Sequence, residues 1–97
     1  MLTLKDIIET LQQHKAVLQE KYGIVALAVF GSFVRGEQTP ESDIDILIEQ
    51  GQPSLGWNYF ALAYELNTIL QHKTDMITRD AIKPRYYDAI KKELVYV

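Results

Sequence analysis

Two short apolar runs, with a polar stretch between them, constrain this fold more than any other feature. The first run ends in Gly31-Ser32, and the second is opened by Asp43 and Asp45. Continuous β-prone apolar runs of this length are typical of strands that are buried on both faces. Only about a dozen residues join them, so antiparallel pairing is the easiest arrangement. That pairing places the Gly-Ser pair and the two aspartates at the same end of a sheet.

The rest of the chain alternates helices with strands. Thr3 followed by Asp6 approximates a capping box, and Gly23 stands where a C-terminal glycine cap is expected. A helix between the second and third strands is a crossover, which joins parallel strands, so the third strand brings Asp75 to the same edge as the first two aspartates. The predicted elements are helices at 4–21, 55–71 and 84–94, strands at 24–30, 44–48 and 74–78, one helical turn at 33–37, and an apolar tail at 94–97. We therefore expect an α/β (α+β) fold, with a small mixed β-sheet and flanking helices.

Composition narrows the class of protein. The chain has 97 residues, which predicts a single domain, 1–97, and it is 47% hydrophobic and 24% charged, as soluble globular proteins are. It contains no cysteine, which excludes disulfides, thiolate zinc sites and a cysteine nucleophile. No apolar run approaches the ~20 residues that span a bilayer, and the first residues do not resemble a signal peptide, so we expect a cytoplasmic protein without membrane association. The net charge of −3 argues against direct, stable binding to nucleic acid.

The aspartates carry the strongest chemical signal. Asp43 and Asp45 point to the same face of their strand, because side-chain direction in a strand has a period of two. Ionised carboxylates at that spacing repel each other unless a cation lies between them. Together with Asp75 they form a set of oxygen ligands suited to Mg²⁺, and a pair of such ions can hold the attacking and leaving oxygens of a nucleotidyl transfer. We therefore predict all three as catalytic and metal-binding residues. The alternative is that Asp43 closes an Asx turn and Asp45 is a solvated edge residue.

The Gly31-Ser32 turn faces the aspartates and predicts a phosphate site. Glycine lets the backbone approach a phosphate closely, and the serine adds a hydroxyl donor. Arg35 suits a bidentate contact with phosphate, or it pairs with an acidic neighbour of the same loop. Ser42 completes the nucleotide-binding candidates, although a cap that supports the following aspartate is its simpler role.

These residues together resemble the signature of the DNA polymerase β-like nucleotidyltransferase superfamily, and within it the minimal, MNT-type nucleotidyltransferases of bacteria and archaea. The resemblance implies two Mg²⁺ ions on the three aspartates and a nucleoside triphosphate, most simply ATP, held by the Gly-Ser turn. It also implies that the protein is the antitoxin of a HEPN-domain ribonuclease toxin and transfers AMP to a tyrosine of that partner. The segments that carry the resemblance are Gly31-Ser32, Arg35-Gly36 and Ser42-Asp43-Ile44-Asp45-Ile46-Leu47.

The acceptor of the transferred group is expected on another chain. A domain of this size that uses one sheet edge for metals and triphosphate has little concave surface left for an acceptor. The aromatic residues around Trp57 and the tail at 94–97 are candidate contacts for a partner, and self-association is an alternative use of the same surfaces. A second hypothesis, of a different class, is that the protein neutralises its partner by contact alone and without catalysis.

Overall fold

A four-stranded mixed sheet lies at the centre of the fold. The computed structural model describes residues 2–97. Its elements, in chain order, are α1 (Leu4–Tyr22), β1 (Ala26–Phe30), α2 (Ser32–Arg35), β2 (Ile44–Glu49), α3 (Asn58–Leu70), β3 (Thr74–Thr78), α4 (Pro84–Ile90), a 3₁₀ turn (Lys91–Glu93) and β4 (Val95–Tyr96).

The strand order is β3-β2-β1-β4. β1 and β2 are antiparallel, β2 and β3 are parallel, and β4 is antiparallel to β1. The two pairings that the sequence predicts are therefore confirmed, as is the mixed character of the sheet. Register places Phe30, Asp45 and Asp75 in one row across β1, β2 and β3.

The alternation of side chains along the strands gives the sheet two different faces. One face packs against α1 and α3 and forms the larger core. On the other face Phe30 and Leu47 pack with Ile82 and Ile90. Asp45 is two residues from Leu47 and so lies on this second face, which α4 only partly covers. The residues of α1 and α3 that are buried in the larger core are Ile7, Leu11, Leu18, Leu62, Leu66 and Leu70.

α1 begins and ends as the sequence predicts. The Thr3 hydroxyl accepts from the backbone N–H of Asp6 at 3.2 Å, and the Asp6 carboxylate accepts from the Thr3 N–H at 3.0 Å. This reciprocal capping box satisfies two backbone donors at the start of the helix. At the other end Gly23, with φ +67°, ends the helix in the left-handed conformation.

The C-terminal tail differs most from expectation. Val95–Tyr96 pairs with Ala28 and Val29 as the edge strand β4, and the Val97 N–H donates to Leu27 at 3.0 Å. The tail is therefore part of the sheet rather than a free apolar segment. A two-residue strand carries too little pattern to be recognised in a sequence, because strand periodicity needs about four residues.

The two later helices are shorter than predicted. α3 begins at Asn58 instead of residue 55, since Gly56 has φ +55°, which breaks the helical path just before it. α4 ends at Ile90, and the 3₁₀ turn then redirects the chain toward β4. Within residues 2–97, none of the helices is long and apolar enough to cross a membrane.

Candidate active site at the aspartate edge

Asp45 and Asp75 lie side by side on two parallel strands. They are direct register partners across β2 and β3, so their side chains leave the same face of the sheet. Asp43 precedes β2 by one residue and therefore shares this face by the period of two. Asp45 is partly buried and Asp75 is exposed, which leaves the edge open to solvent on the β3 side.

The surroundings of Asp45 disfavour ionisation of its carboxyl group. Burial, followed by the negative charges of Asp75 and Asp43, raises the pKa of Asp45 to about 6. The positive charge of Arg35 opposes this shift but does not cancel it. A carboxylate crowded by like charges is stabilised by a cation, because the cation removes both the repulsion and part of the desolvation cost.

Gly31 and Asp45 are in contact across β1 and β2. A Cβ atom added to Gly31 would overlap the carboxylate of Asp45 and would lie 3.2 Å from its Cβ. Gly31 also has φ +85° and ψ −155°, a conformation that is essentially restricted to glycine. Both the space and the backbone angles thus require glycine at this position. The prediction that the Gly-Ser turn faces the aspartates is geometrically correct.

Glu93 links the C-terminal segment to this turn. Its carboxylate accepts from the backbone N–H of Gly31 at 3.2 Å and from Nη1 of Arg35 at 3.1 and 3.0 Å. The same Arg35 donates from Nε to Glu37 at 2.8 Å. Of the two roles that the sequence left open for Arg35, the structure therefore shows the acidic pairing, with Glu37 and with a glutamate far along the chain.

Ser42 acts as a turn residue in the loop before β2. Its hydroxyl accepts from the Thr39 N–H at 2.9 Å, and its carbonyl accepts from Nε2 of His72 at 2.6 Å. The His72 ring also packs edge-on against Phe33, with 5.8 Å between centroids. His72 thus anchors the loop from which Asp43 projects. The Asp43 carboxylate lies 3.8 Å from the ammonium group of Lys73.

Tyr86, on α4, stands beside the aspartate edge. Its ring packs edge-on against Phe30, with 6.5 Å between centroids. Burial, followed by the charges of Asp45 and Asp75, raises the pKa of the Tyr86 hydroxyl. Sequence reasoning missed both Tyr86 and Glu93, because each reaches the site by tertiary packing from a helical segment without a recognisable motif.

The donor chemistry of the edge fits Mg²⁺, which prefers carboxylate oxygens and keeps positions for water and phosphate. Among residues 2–97 the structure does not gather three or more acidic or histidine side chains into a group that could hold a metal ion as they stand. The Asp43 carboxylate is directed toward Lys73. The metal-binding assignment of the three aspartates stays a prediction.

Two cavities lie away from the aspartate edge, and a smaller one, of about 150 Å³, adjoins the loop before β2 between Phe33 and His72. Cavities of about 420 and 430 Å³ adjoin the opposite end of β2, where Gln50 and Ser54 line both. On the β3 side the aspartate edge is open, because Asp75 is exposed. An open edge suits an acceptor that arrives on another molecule better than a small molecule that needs to be enclosed.

A mixed sheet that sets a Gly-Ser turn opposite aspartates on two neighbouring strands is the arrangement expected of a nucleotidyltransferase. The family model described as "Nucleotidyltransferase domain" matches residues 11–97 of the chain. The chain belongs to this family and is a minimal nucleotidyltransferase, an enzyme.

Individual relatives match all or nearly all of this chain. The chain is 44% identical to a protein of Methanocaldococcus jannaschii named "Putative protein adenylyltransferase", with 100% of both chains covered. It is 37% identical to "Protein adenylyltransferase MntA" of Thermococcus cleftensis, over 100% of this chain and 98% of that one. A solved structure described as that of a "putative minimal nucleotidyltransferase" superimposes with a TM-score of 0.75 at 25% identity, over 92% of this chain and 93% of the other. These matches confirm the resemblance to minimal nucleotidyltransferases that the sequence motifs indicated.

Proposed function

We propose that this protein transfers AMP from ATP to a hydroxyl group of a partner protein, in a reaction that depends on Mg²⁺. The observation that carries the proposal is the row formed by Asp45 and Asp75 opposite the Gly31-Ser32 turn. Two relatives that span the chain are named protein adenylyltransferases, which supports AMP as the group and a protein as the acceptor.

Each part of the site has a defined task in this reaction. The Gly-Ser turn holds the triphosphate, because the absence of a side chain at Gly31 lets a phosphate approach closely and Ser32 offers its hydroxyl. Asp43, Asp45 and Asp75 would hold two Mg²⁺ ions, which supply positive charge to the attacking and leaving oxygens when bound. Arg35 and Ser42 border this region, and their contact with the nucleotide stays a prediction.

The transfer itself is an in-line displacement. The acceptor oxygen forms a bond to the α-phosphorus, and the bond from that phosphorus to the bridging oxygen breaks, so that pyrophosphate leaves. The proton of the acceptor hydroxyl passes to a carboxylate of the edge, for which Asp75 is the most accessible. Because Asp75 lies on the edge strand β3, an acceptor on another protein can approach it without displacing any element of the fold.

The partner that we propose is a HEPN-domain ribonuclease toxin, with this protein as its antitoxin and the whole of 1–97 as one catalytic domain. The test is incubation of the protein with α-labelled ATP, Mg²⁺ and a HEPN-domain protein. Labelled partner is expected with the wild type and none with the double variant Asp43→Asn/Asp45→Asn. The matched control is Glu41→Gln, which removes an exposed charge from the same loop and should leave labelling unchanged. Undiminished labelling by the double variant would refute the site.

Contact without catalysis is the second candidate function, and the outer surface of α3 favours it. Trp57, Phe60 and Tyr64 are 88%, 65% and 75% exposed, which is unusual for large aromatic residues of a small domain. If contact alone neutralises the partner, the aspartate double variant still protects cells from the toxin, whereas Trp57→Ala/Phe60→Ala does not. If transfer is required, the aspartate variant fails although it still binds the partner.

A further inference from the structure

The strongest unassigned feature is Glu93, on the 3₁₀ turn between α4 and β4. Its side chain is only 20% exposed, and it accepts hydrogen bonds from the Gly31 N–H and from Arg35. The two ends of this contact are 62 residues apart in the sequence. A carboxylate that is largely buried and fully engaged with donors holds those donors in place.

The contact with Gly31 fixes the orientation of the turn. Gly31 has φ +85°, and its Cα faces the Asp45 carboxylate so closely that no Cβ fits between them. Glycine has more backbone freedom than any other residue, so hydrogen bonds are needed to restrict it to one conformation. Within the turn, the Gly31 carbonyl accepts from the N–H groups of Val34 and Arg35 at 3.0 and 3.2 Å. The hydrogen bond from the Gly31 N–H to Glu93 restrains the other side of the residue from outside the turn.

Charge distinguishes this role from direct contact with the nucleotide. Arg35 is bonded to Glu93 through Nη1 and to Glu37 through Nε, so two carboxylates compensate its single positive charge. A triphosphate that approached Glu93 itself would meet a carboxylate, and like charges repel. The side chain therefore acts on a bound nucleotide through the backbone that it holds.

We propose that Glu93 is a positioning residue, which holds the Gly31-Ser32 turn in the geometry that receives the triphosphate. This inference rests on the proposed function, since it takes the turn to be the nucleotide site. It adds a requirement that the family motif does not contain, namely that the segment after α4 keeps the glycine turn in register with Asp45.

The test is titration of the full chain with a fluorescent ATP analogue in the presence of Mg²⁺, using Glu93→Ala, Glu93→Gln and Glu37→Gln. We expect Glu93→Ala to raise the Kd about tenfold, because a charge-assisted hydrogen bond is lost and the turn is released. Glu93→Gln keeps an acceptor oxygen for the Gly31 N–H and should stay within about threefold of the wild type. Glu37→Gln removes the other carboxylate from Arg35 but leaves Gly31 restrained, and it should also stay within about threefold.

Circular dichroism of each variant separates positioning from simple loss of structure. A reversibly unfolded fraction raises the apparent Kd by itself, so the Kd is compared only between variants that are fully folded under the conditions of the titration. In a fully folded variant, a displaced turn still moves the midpoint. An unchanged Kd in folded Glu93→Ala overturns the inference. Tighter binding by Glu93→Ala overturns it as well, since the carboxylate would then compete with phosphate.

A second measurement keeps the inference separate from the proposed function. Hydrogen exchange of the Gly31 amide should be slow in the wild type and in Glu37→Gln, and faster in Glu93→Ala, or in Glu93→Asp if the alanine variant does not fold. If the wild type binds no nucleotide, the proposed function fails, and exchange at Gly31 alone still decides whether Glu93 holds the turn. Equal exchange in all variants would overturn the contact itself.

Discussion

Replacement of Gly31 by alanine is the sharpest test of the site geometry. Two separate effects oppose a Cβ at this position: the backbone angles of φ +85° and ψ −155°, and the overlap of that Cβ with the Asp45 carboxylate. Strain of a non-glycine residue in such a region costs ~1–3 kcal/mol. Displacement of a half-buried side chain adds a further ~1–2 kcal/mol by analogy with overpacking of a core. We therefore expect Gly31→Ala to lower the free energy of unfolding by about 3 kcal/mol.

Gly36 provides the matched control. It has φ +71°, at the other end of α2, and a Cβ added there would meet no atom within 4 Å. Gly36→Ala should thus show backbone strain alone, about 1 kcal/mol. The difference between the two variants contains both the contact with Asp45 and the greater backbone strain at Gly31, and a mutant cycle with Asp45 isolates the contact.

The assay is urea unfolding monitored by circular dichroism. The variants Asp45→Ala and Gly31→Ala/Asp45→Ala complete a double-mutant cycle with the wild type and Gly31→Ala. Removal of the carboxyl atoms of Asp45 relieves the overlap, so the alanine at position 31 should cost about 1–2 kcal/mol less in that background. Equal losses for Gly31→Ala and Gly36→Ala, or strict additivity in the cycle, would refute the proposed packing of the turn on Asp45.

Three further results follow from the same structure. Because the fold raises the pKa of Asp45 to about 6, the folded state holds this proton more tightly than the unfolded state, and stability is lost as pH rises from about 4 to about 6. The free energy of unfolding of Asp45→Asn should therefore equal that of the wild type near pH 4 and exceed it by roughly 2 kcal/mol above pH 6, in parallel thermal melts without metal. An equal difference between the two proteins at all pH values would contradict this cause. MgCl₂ at pH 7 should raise the Tm of the wild type but not that of Asp43→Asn/Asp45→Asn, and the same rise in both would place the bound ion elsewhere. Thr3→Ala should lower the free energy of unfolding by about 1 kcal/mol through loss of the capping box, with nucleotide binding intact.

Most of the fold could be predicted because its signals are local. The buried run of β1, the aspartate-opened run of β2 and the capping box of α1 are each contained within a few neighbouring residues. Topology followed from connection length, since a short excursion favours antiparallel pairing and a helix favours a parallel crossover. The row of Asp45 and Asp75 was predictable for the same reason.

The parts that sequence reasoning missed depend on contacts between distant segments. Glu93 belongs to an ordinary charged run, Lys91-Lys92-Glu93, and only the path of the chain after α4 brings it to Gly31. The strand β4 exists because β1 offers an unpaired edge, which no pattern within residues 95–96 reveals. Several acidic residues lie near Arg35 in the sequence, and the packing of the C-terminal segment adds Glu93 to Glu37 as its partners.

The strained charge at Asp45 has an evolutionary consequence. Selection for stability alone would replace Asp45, because an uncharged residue of similar size would raise the free energy of unfolding. A bound cation that stabilises the Asp45 carboxylate would remove this disadvantage. Under the proposed metal-binding role, selection for stability and selection for activity therefore act in opposite directions at this position. A related sequence that lacks the activity is expected to carry an uncharged residue there and to unfold at a higher temperature.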